Sequence, residues 1–133
     1  MKFNLPHLEW DLDCEAFGYP GIVFKFWLNA PEDPPTTPAW LAIEDPVAQN
    51  EARKAAPEWD IMFYHSMVHF MDSLTIPQAY IEGATEDKVI EFKSPADLFD
   101  FENSGGFDKQ LLLWAWRQYA AQRHERLKIE LKN

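Results

Sequence analysis

Residues 8–15, where apolar and polar positions alternate, and the apolar run 22–28 together predict a β-hairpin. In LEWDLDCE, residues 8–15, apolar side chains fill the even positions and carboxylates fill the odd ones. Strict alternation is typical of a half-buried strand, which we predict over 7–15. The run IVFKFWL, residues 22–28, is rich in β-branched and aromatic residues and predicts the second strand. Two glycines and a proline lie between the two runs and predict the turn.

Spacing typical of helices begins after a proline-rich stretch, residues 29–38, which we interpret as an extended loop. Asp45-Pro46 and Ser94-Pro95 are helix-start signals, because the first residue of each pair caps the helix and proline fits its first position. The predicted elements are one or two short helices within 38–56, a central helix over 58–74, a short strand over 89–92, and helices over 95–103 and 109–128. The result is an α+β fold, with an N-terminal antiparallel β-hairpin packed on a bundle of three to four helices in one domain, 1–133.

Charge is unevenly distributed along the 133 residues. The net charge is −10, whereas the stretch from Lys109 onward holds six basic and two acidic residues, so the preceding 108 residues carry −14. Nucleic-acid binding by this acidic body is disfavoured, because contact with phosphates requires a basic surface. A basic protein partner is permitted, and so is self-association of the basic tail with the acidic body.

The chain lacks the sequence features of several other classes of protein. It has no apolar stretch of about 20 residues that could span a membrane and no signal-peptide pattern. Its single cysteine, Cys14, gives neither an internal disulfide nor a cysteine-based zinc cluster. It has no GxSxG, phosphate loop or dinucleotide motif. We therefore expect a cytoplasmic protein without a cofactor, whose activity as an enzyme the sequence leaves open.

One candidate metal site lies on the predicted central helix. His65 and His69 are four residues apart, which places them on one helical face, and Asp72 follows three residues later. Two histidines and a carboxylate can bind zinc or iron. However, the zinc-protease pattern requires glutamate after the first histidine, where this chain has Ser66. Histidines at the polar edge of an amphipathic helix are the alternative.

The acidic row, Glu9, Asp11, Asp13 and Glu15, is the second candidate. Alternate strand residues lie about 6.5–7 Å apart, so a flat row does not converge on one metal ion as Mg²⁺ or Ca²⁺ requires. Charges on a strand also protect it against aggregation. The remaining interpretation is a docking surface, for which the matching basic residues within this chain are Arg117, Arg123 and Arg126.

The order of these segments resembles that of small tail-assembly and accessory proteins of tailed bacteriophages. The likeness rests on the hairpin, on the strand end and loop Trp27-Leu-Asn29-Ala-Pro31, and on the closing helix rich in leucine and tryptophan with a basic tail. This resemblance implies a non-enzymatic role in binding phage structural proteins in the host cytoplasm. It transfers no functional residue.

Three functions are therefore open. The first is a protein-interaction or assembly factor, which the six tryptophans also favour because tryptophan is enriched at interfaces. The second is a small metal-dependent enzyme that uses the His-x3-His pair. The third is an acidic inhibitor that mimics nucleic acid.

Overall fold

The computed structural model describes residues 1–3, 5–6, 8–29 and 37–132, with side chains up to residue 126. In these residues it contains four strands and four α-helices. The strands are β1 (Glu9–Asp13), β2 (Val23–Trp27), β3 (Met71–Ile76) and β4 (Lys88–Ile90); the helices are α1 (Pro46–Ala55), α2 (Met62–Phe70), α3 (Pro95–Ser104) and α4 (Lys109–Lys132). The predicted α+β class with a long C-terminal helix is confirmed. Most of the predicted proline-rich loop, 29–38, lies outside the described residues.

The four strands form one antiparallel sheet in the order β1-β2-β3-β4. The predicted hairpin is confirmed, with Leu12 opposite Phe24 and Trp10 opposite Phe26. β1 is shorter than predicted, because Asp13 ends the strand by accepting a hydrogen bond from the Glu15 backbone N–H. A short 3-10 helix, Cys14–Phe17, then leads into the turn.

The predicted helix over 58–74 is wrong at both ends. α2 is confined to Met62–Phe70, and the chain passes from it directly into β3, which pairs with both β2 and β4. The segment 71–76 satisfied the helical stripe through Met71 and Leu74, but pairing on both sides gives it sheet hydrogen bonds and burial on both faces. Tertiary pairing therefore outweighs local periodicity here.

The helix-start signals are confirmed. Asp45 accepts a hydrogen bond from Ala48 N–H at the start of α1, and the Ser94 hydroxyl accepts one from Asp97 N–H at the start of α3. Asp108 caps α4 in the same way through Gln110 N–H. These caps supply acceptors for backbone donors that a helix leaves unpaired in its first turn.

The chain groups into two compact units, each built from separate segments. The first contains Met1–Ala30, Phe70–Glu91 and Asp108–Asn133, and therefore holds the whole sheet and α4. The second contains Pro31–His69 and Phe92–Phe107, with α1, α3 and nearly all of α2. The expectation of one domain stays a prediction.

Aromatic residues from three elements form the core of the first unit. Phe26 of β2 stacks on Tyr119 of α4 at 4.5 Å between ring centroids, and Trp10 of β1 stacks on Phe26. The Tyr119 hydroxyl donates to the carbonyl of Trp27 at 2.6 Å. One face of the sheet is thereby covered by α4. The acidic side chains of β1 lie on the other face.

Candidate functional site

The acidic row occupies the exposed positions that its alternation predicted. Along β1 the odd residues Glu9, Asp11 and Asp13 are exposed, whereas Trp10 and Leu12 are half-buried. Glu15 is exposed as well, but it belongs to the 3-10 helix and not to the strand. The prediction of one continuous strand face is therefore correct for three of the four carboxylates.

Two carboxylates of the row have defined structural partners. Glu9 pairs with Lys25 of β2 at 3.4 Å, and Asp13 caps the 3-10 helix. The pKa of Lys25 is raised, first by its hydrogen bond to Glu9 and then by the charges of Glu9, Asp11 and Asp72. Asp11 lies directly opposite Lys25 in the sheet register. The ion pair and the cap belong to Glu9 and Asp13. Asp11 and Glu15 are therefore the members of the row that can be neutralised with least effect on the fold.

β1 is also an edge strand of the described sheet, with β2 as its one neighbour. Edge strands present backbone donors and acceptors to which another chain can bind. Three carboxylates of the acidic row and the open edge belong to the same five residues. This coincidence makes β1 the candidate functional site of the first unit.

The three arginines predicted as basic counterparts lie on α4 in different environments. Arg117 is exposed. Arg123 donates to the Tyr119 hydroxyl at 3.1 Å and lies 4.5 Å above the centre of the Phe70 ring. Arg126 is half-buried. Arg123 therefore anchors α4 within its own unit, and its role in partner binding stays a prediction together with those of the other two.

The histidine pair of the candidate metal site lies on α2, but the proposed third ligand does not. Asp72 belongs to β3 and forms no helical triad with His65 and His69. Nε2 of His65 is 2.7 Å from the Asp60 carboxylate. Among the described residues, no group of three histidine, cysteine, aspartate or glutamate side chains is placed to hold a metal ion.

Half-buried Asp60 and buried His65 form a pair in the second unit that the sequence did not indicate. Their side chains are 13 % and 7 % exposed, and the Trp40 indole N–H donates to the Asp60 carbonyl at 2.9 Å. Because a carboxylate accepts, Nε2 carries the proton. Nδ1 is buried without a hydrogen-bond partner within the described part of the chain.

Tyr64, the residue before His65, makes the second buried polar contact of this unit. Its hydroxyl donates to the carboxylate of Glu102 on α3, which is 4 % exposed. Burial, then the charge of Glu102 and their hydrogen bond, raise the pKa of Tyr64 to about 12. No local pattern could have revealed this pair, because its residues are 38 positions apart. The contact joins α2 to α3.

Cys14 cannot act as a nucleophile in this environment. It is fully buried, and burial followed by the charge of Asp13 raises its pKa to about 12. A thiol must ionise to react, so Cys14 is inert in these surroundings.

No protein-family model, curated protein or solved structure matches this chain. None of its described helices is both long and apolar enough to cross a membrane.

Proposed function

We propose that this protein is a non-enzymatic interaction factor that binds a basic protein partner through β1. The observation that carries the proposal is the coincidence, in one edge strand, of three exposed carboxylates and an open backbone edge. An edge strand alone would attract extended chains without selectivity. Carboxylates at every second position favour basic partners and repel acidic ones, which supplies the selectivity.

The electrostatics of the whole chain support the same proposal. The acidic row lies within the part of the chain that carries −14, so a basic partner is attracted from a distance as well as at contact. A role in assembly, such as the phage-tail role implied by the resemblance, is a more specific form of this proposal. It requires that the basic partner be a structural protein encoded nearby.

A retention assay with matched variants tests the proposal. The double variant Asp11→Asn/Glu15→Gln removes two charges of the row and leaves the Glu9–Lys25 pair and the Asp13 cap in place. The control, Glu51→Gln/Glu86→Gln, removes two exposed charges elsewhere. Each immobilised protein is incubated with a lysate of the cells that encode it, and retained proteins are identified by mass spectrometry.

The expected result is one basic protein retained by wild type and by the control, released by salt, and depleted on the β1 variant. If the retained basic protein is an enzyme that binds nucleic acid, the result would instead favour the hypothesis of an acidic inhibitor. Equal retention by wild type and the β1 variant would show that β1 is not the binding site.

A further inference from the structure

The edge of β1 that faces away from β2 has no strand beside it in the described sheet. Cys14 N–H donates to the Ile22 carbonyl and Leu28 N–H donates to the Leu8 carbonyl, so the even-numbered residues of this segment bond to β2. Hydrogen bonding alternates along an antiparallel pair. The backbone N–H and C=O groups that point outward therefore belong to Glu9, Asp11 and Asp13, which are also the carboxylates of β1.

This parity determines what can be added at the edge. An antiparallel strand that bonds to the outward groups places its own bonded residues directly opposite Glu9, Asp11 and Asp13. Side chains of opposed residues project on the same face, with Cβ atoms about 4.5–5.5 Å apart. Every second residue of the added strand therefore faces a carboxylate.

The strand β1 of a second copy of this chain does not fit beside β1. In an antiparallel pair of two β1 strands, the same parity would place the odd residues of both copies opposite one another. Carboxylates would then face carboxylates along the strand, and like charges in that position are destabilising. The basic tail of another copy does not fit either. It belongs to α4, Lys109–Lys132, whose backbone groups are used within the helix.

We infer that the occupant of this edge is an extended segment of a different protein, which adds an antiparallel fifth strand beside β1 and carries lysine or arginine at alternate positions. The inference rests on the proposed function and names the chemistry of its partner. Backbone hydrogen bonds to the outward groups of β1 supply the docking geometry, and the alternate basic side chains supply the selectivity.

Synthetic peptides of alternating lysine and threonine test the geometry. They are titrated into the full-length isotope-labelled protein, and binding is followed by amide chemical-shift changes. One peptide carries N-methyl groups on its lysines, whose N–H groups would point at β1; the matched control carries the same number on its threonines, whose N–H groups would point away. We expect shift changes at 9–13, and affinity at least about tenfold weaker for the lysine-methylated peptide than for the threonine-methylated one.

A variant of the protein provides the complementary test. Asp11→Pro removes an outward N–H together with a charge, whereas Asp11→Asn removes the charge alone. Proline is tolerated in edge strands where the N–H faces away from the sheet, and the shifts of β2 and β3 show whether the sheet is retained. We expect the unmodified peptide to bind Asp11→Pro more weakly than Asp11→Asn.

Three outcomes would overturn the inference. Equal binding of the two methylated peptides would mean that charge alone holds the ligand. Shift changes at Lys88–Ile90 would place the ligand on the opposite edge of the sheet. Absence of binding by any peptide at low salt would exclude strand addition. In each case the retention assay still decides the proposed function separately, because it does not depend on how the partner is held.

Discussion

At the scale of single residues, Arg123 has two defined contacts within the first unit. It donates to Tyr119 and lies over the ring of Phe70. Arg123→Ala removes a cation–π contact and a hydrogen bond. We therefore predict that it lowers the free energy of unfolding by about 1–2 kcal/mol. Arg117→Ala, at an exposed position on the same helix, is the control and should change it by less than about 0.5 kcal/mol. Urea denaturation measures both, and equal effects would contradict the anchoring role.

Cys14 provides a direct probe of the core of the first unit. Its pKa is raised from 9.0 to about 12, so the thiolate fraction at pH 8 falls about a thousandfold relative to an ordinary thiol. We expect a thiol reagent to leave native protein almost unmodified at pH 8 and to modify it rapidly in urea. Rapid stoichiometric reaction under native conditions would contradict the burial of this residue.

Because the pKa of Tyr64 is raised, we predict that the protein loses stability at high pH. Its pKa in the folded chain is about 12, against 10.0 when unperturbed, so between these values the folded state binds more protons than the unfolded state. The free energy of unfolding therefore falls as pH rises from 10 to 12. Tyr64→Phe removes this contribution, so its free energy of unfolding should fall less steeply over that interval. Parallel curves for the two proteins would contradict the buried Tyr64–Glu102 contact.

At the scale of elements, the turn between β1 and β2 depends on Gly21. Its φ is +89°, and a Cβ atom there would lie 2.9 Å from Cγ of Pro77, which follows β3. Gly18 also has positive φ, at +112°, but a Cβ atom there meets nothing within 4 Å. Both alanine variants incur backbone strain, and Gly21→Ala incurs a clash as well. We predict that Gly21→Ala is less stable than Gly18→Ala by about 1 kcal/mol or more in thermal denaturation. Equal stability of the two variants would show that Pro77 moves aside.

The elements that the sequence predicted correctly have local causes. Asp45, Ser94 and Asp108 cap helices through neighbours two or three residues away, and the alternation of β1 follows from one buried and one exposed face. The strand β3 was not predicted, because its sequence, MDSLTI, fits a helical stripe and acquires its structure by pairing with strands distant in the chain.

The site shows the same division between local and distant causes. The exposure of Glu9, Asp11 and Asp13 follows from alternation alone. The departure of Glu15 from the strand depends on one side-chain hydrogen bond, and the separation of Asp72 from the two histidines depends on where α2 ends. The buried contacts of His65 and Tyr64 depend on packing, which a sequence pattern does not encode.

At the scale of the whole molecule, charge and topology converge on β1. This strand lies at an edge of the described sheet. Its acidic residues have exposed side chains, and their backbone N–H and C=O groups point away from β2. The surrounding chain is strongly acidic. The six basic residues from Lys109 onward lie on α4, so they do not offer an extended strand to this edge.

The most direct test of this account is the affinity of the retained basic partner, measured by calorimetry at low and high salt. The proteins compared are wild type, Asp11→Asn/Glu15→Gln and the Glu51→Gln/Glu86→Gln control. The account predicts that the β1 variant binds at least about tenfold more weakly at low salt, that the control binds like wild type, and that the difference narrows as salt screens the charges. Equal affinity of wild type and the β1 variant at low salt would contradict it.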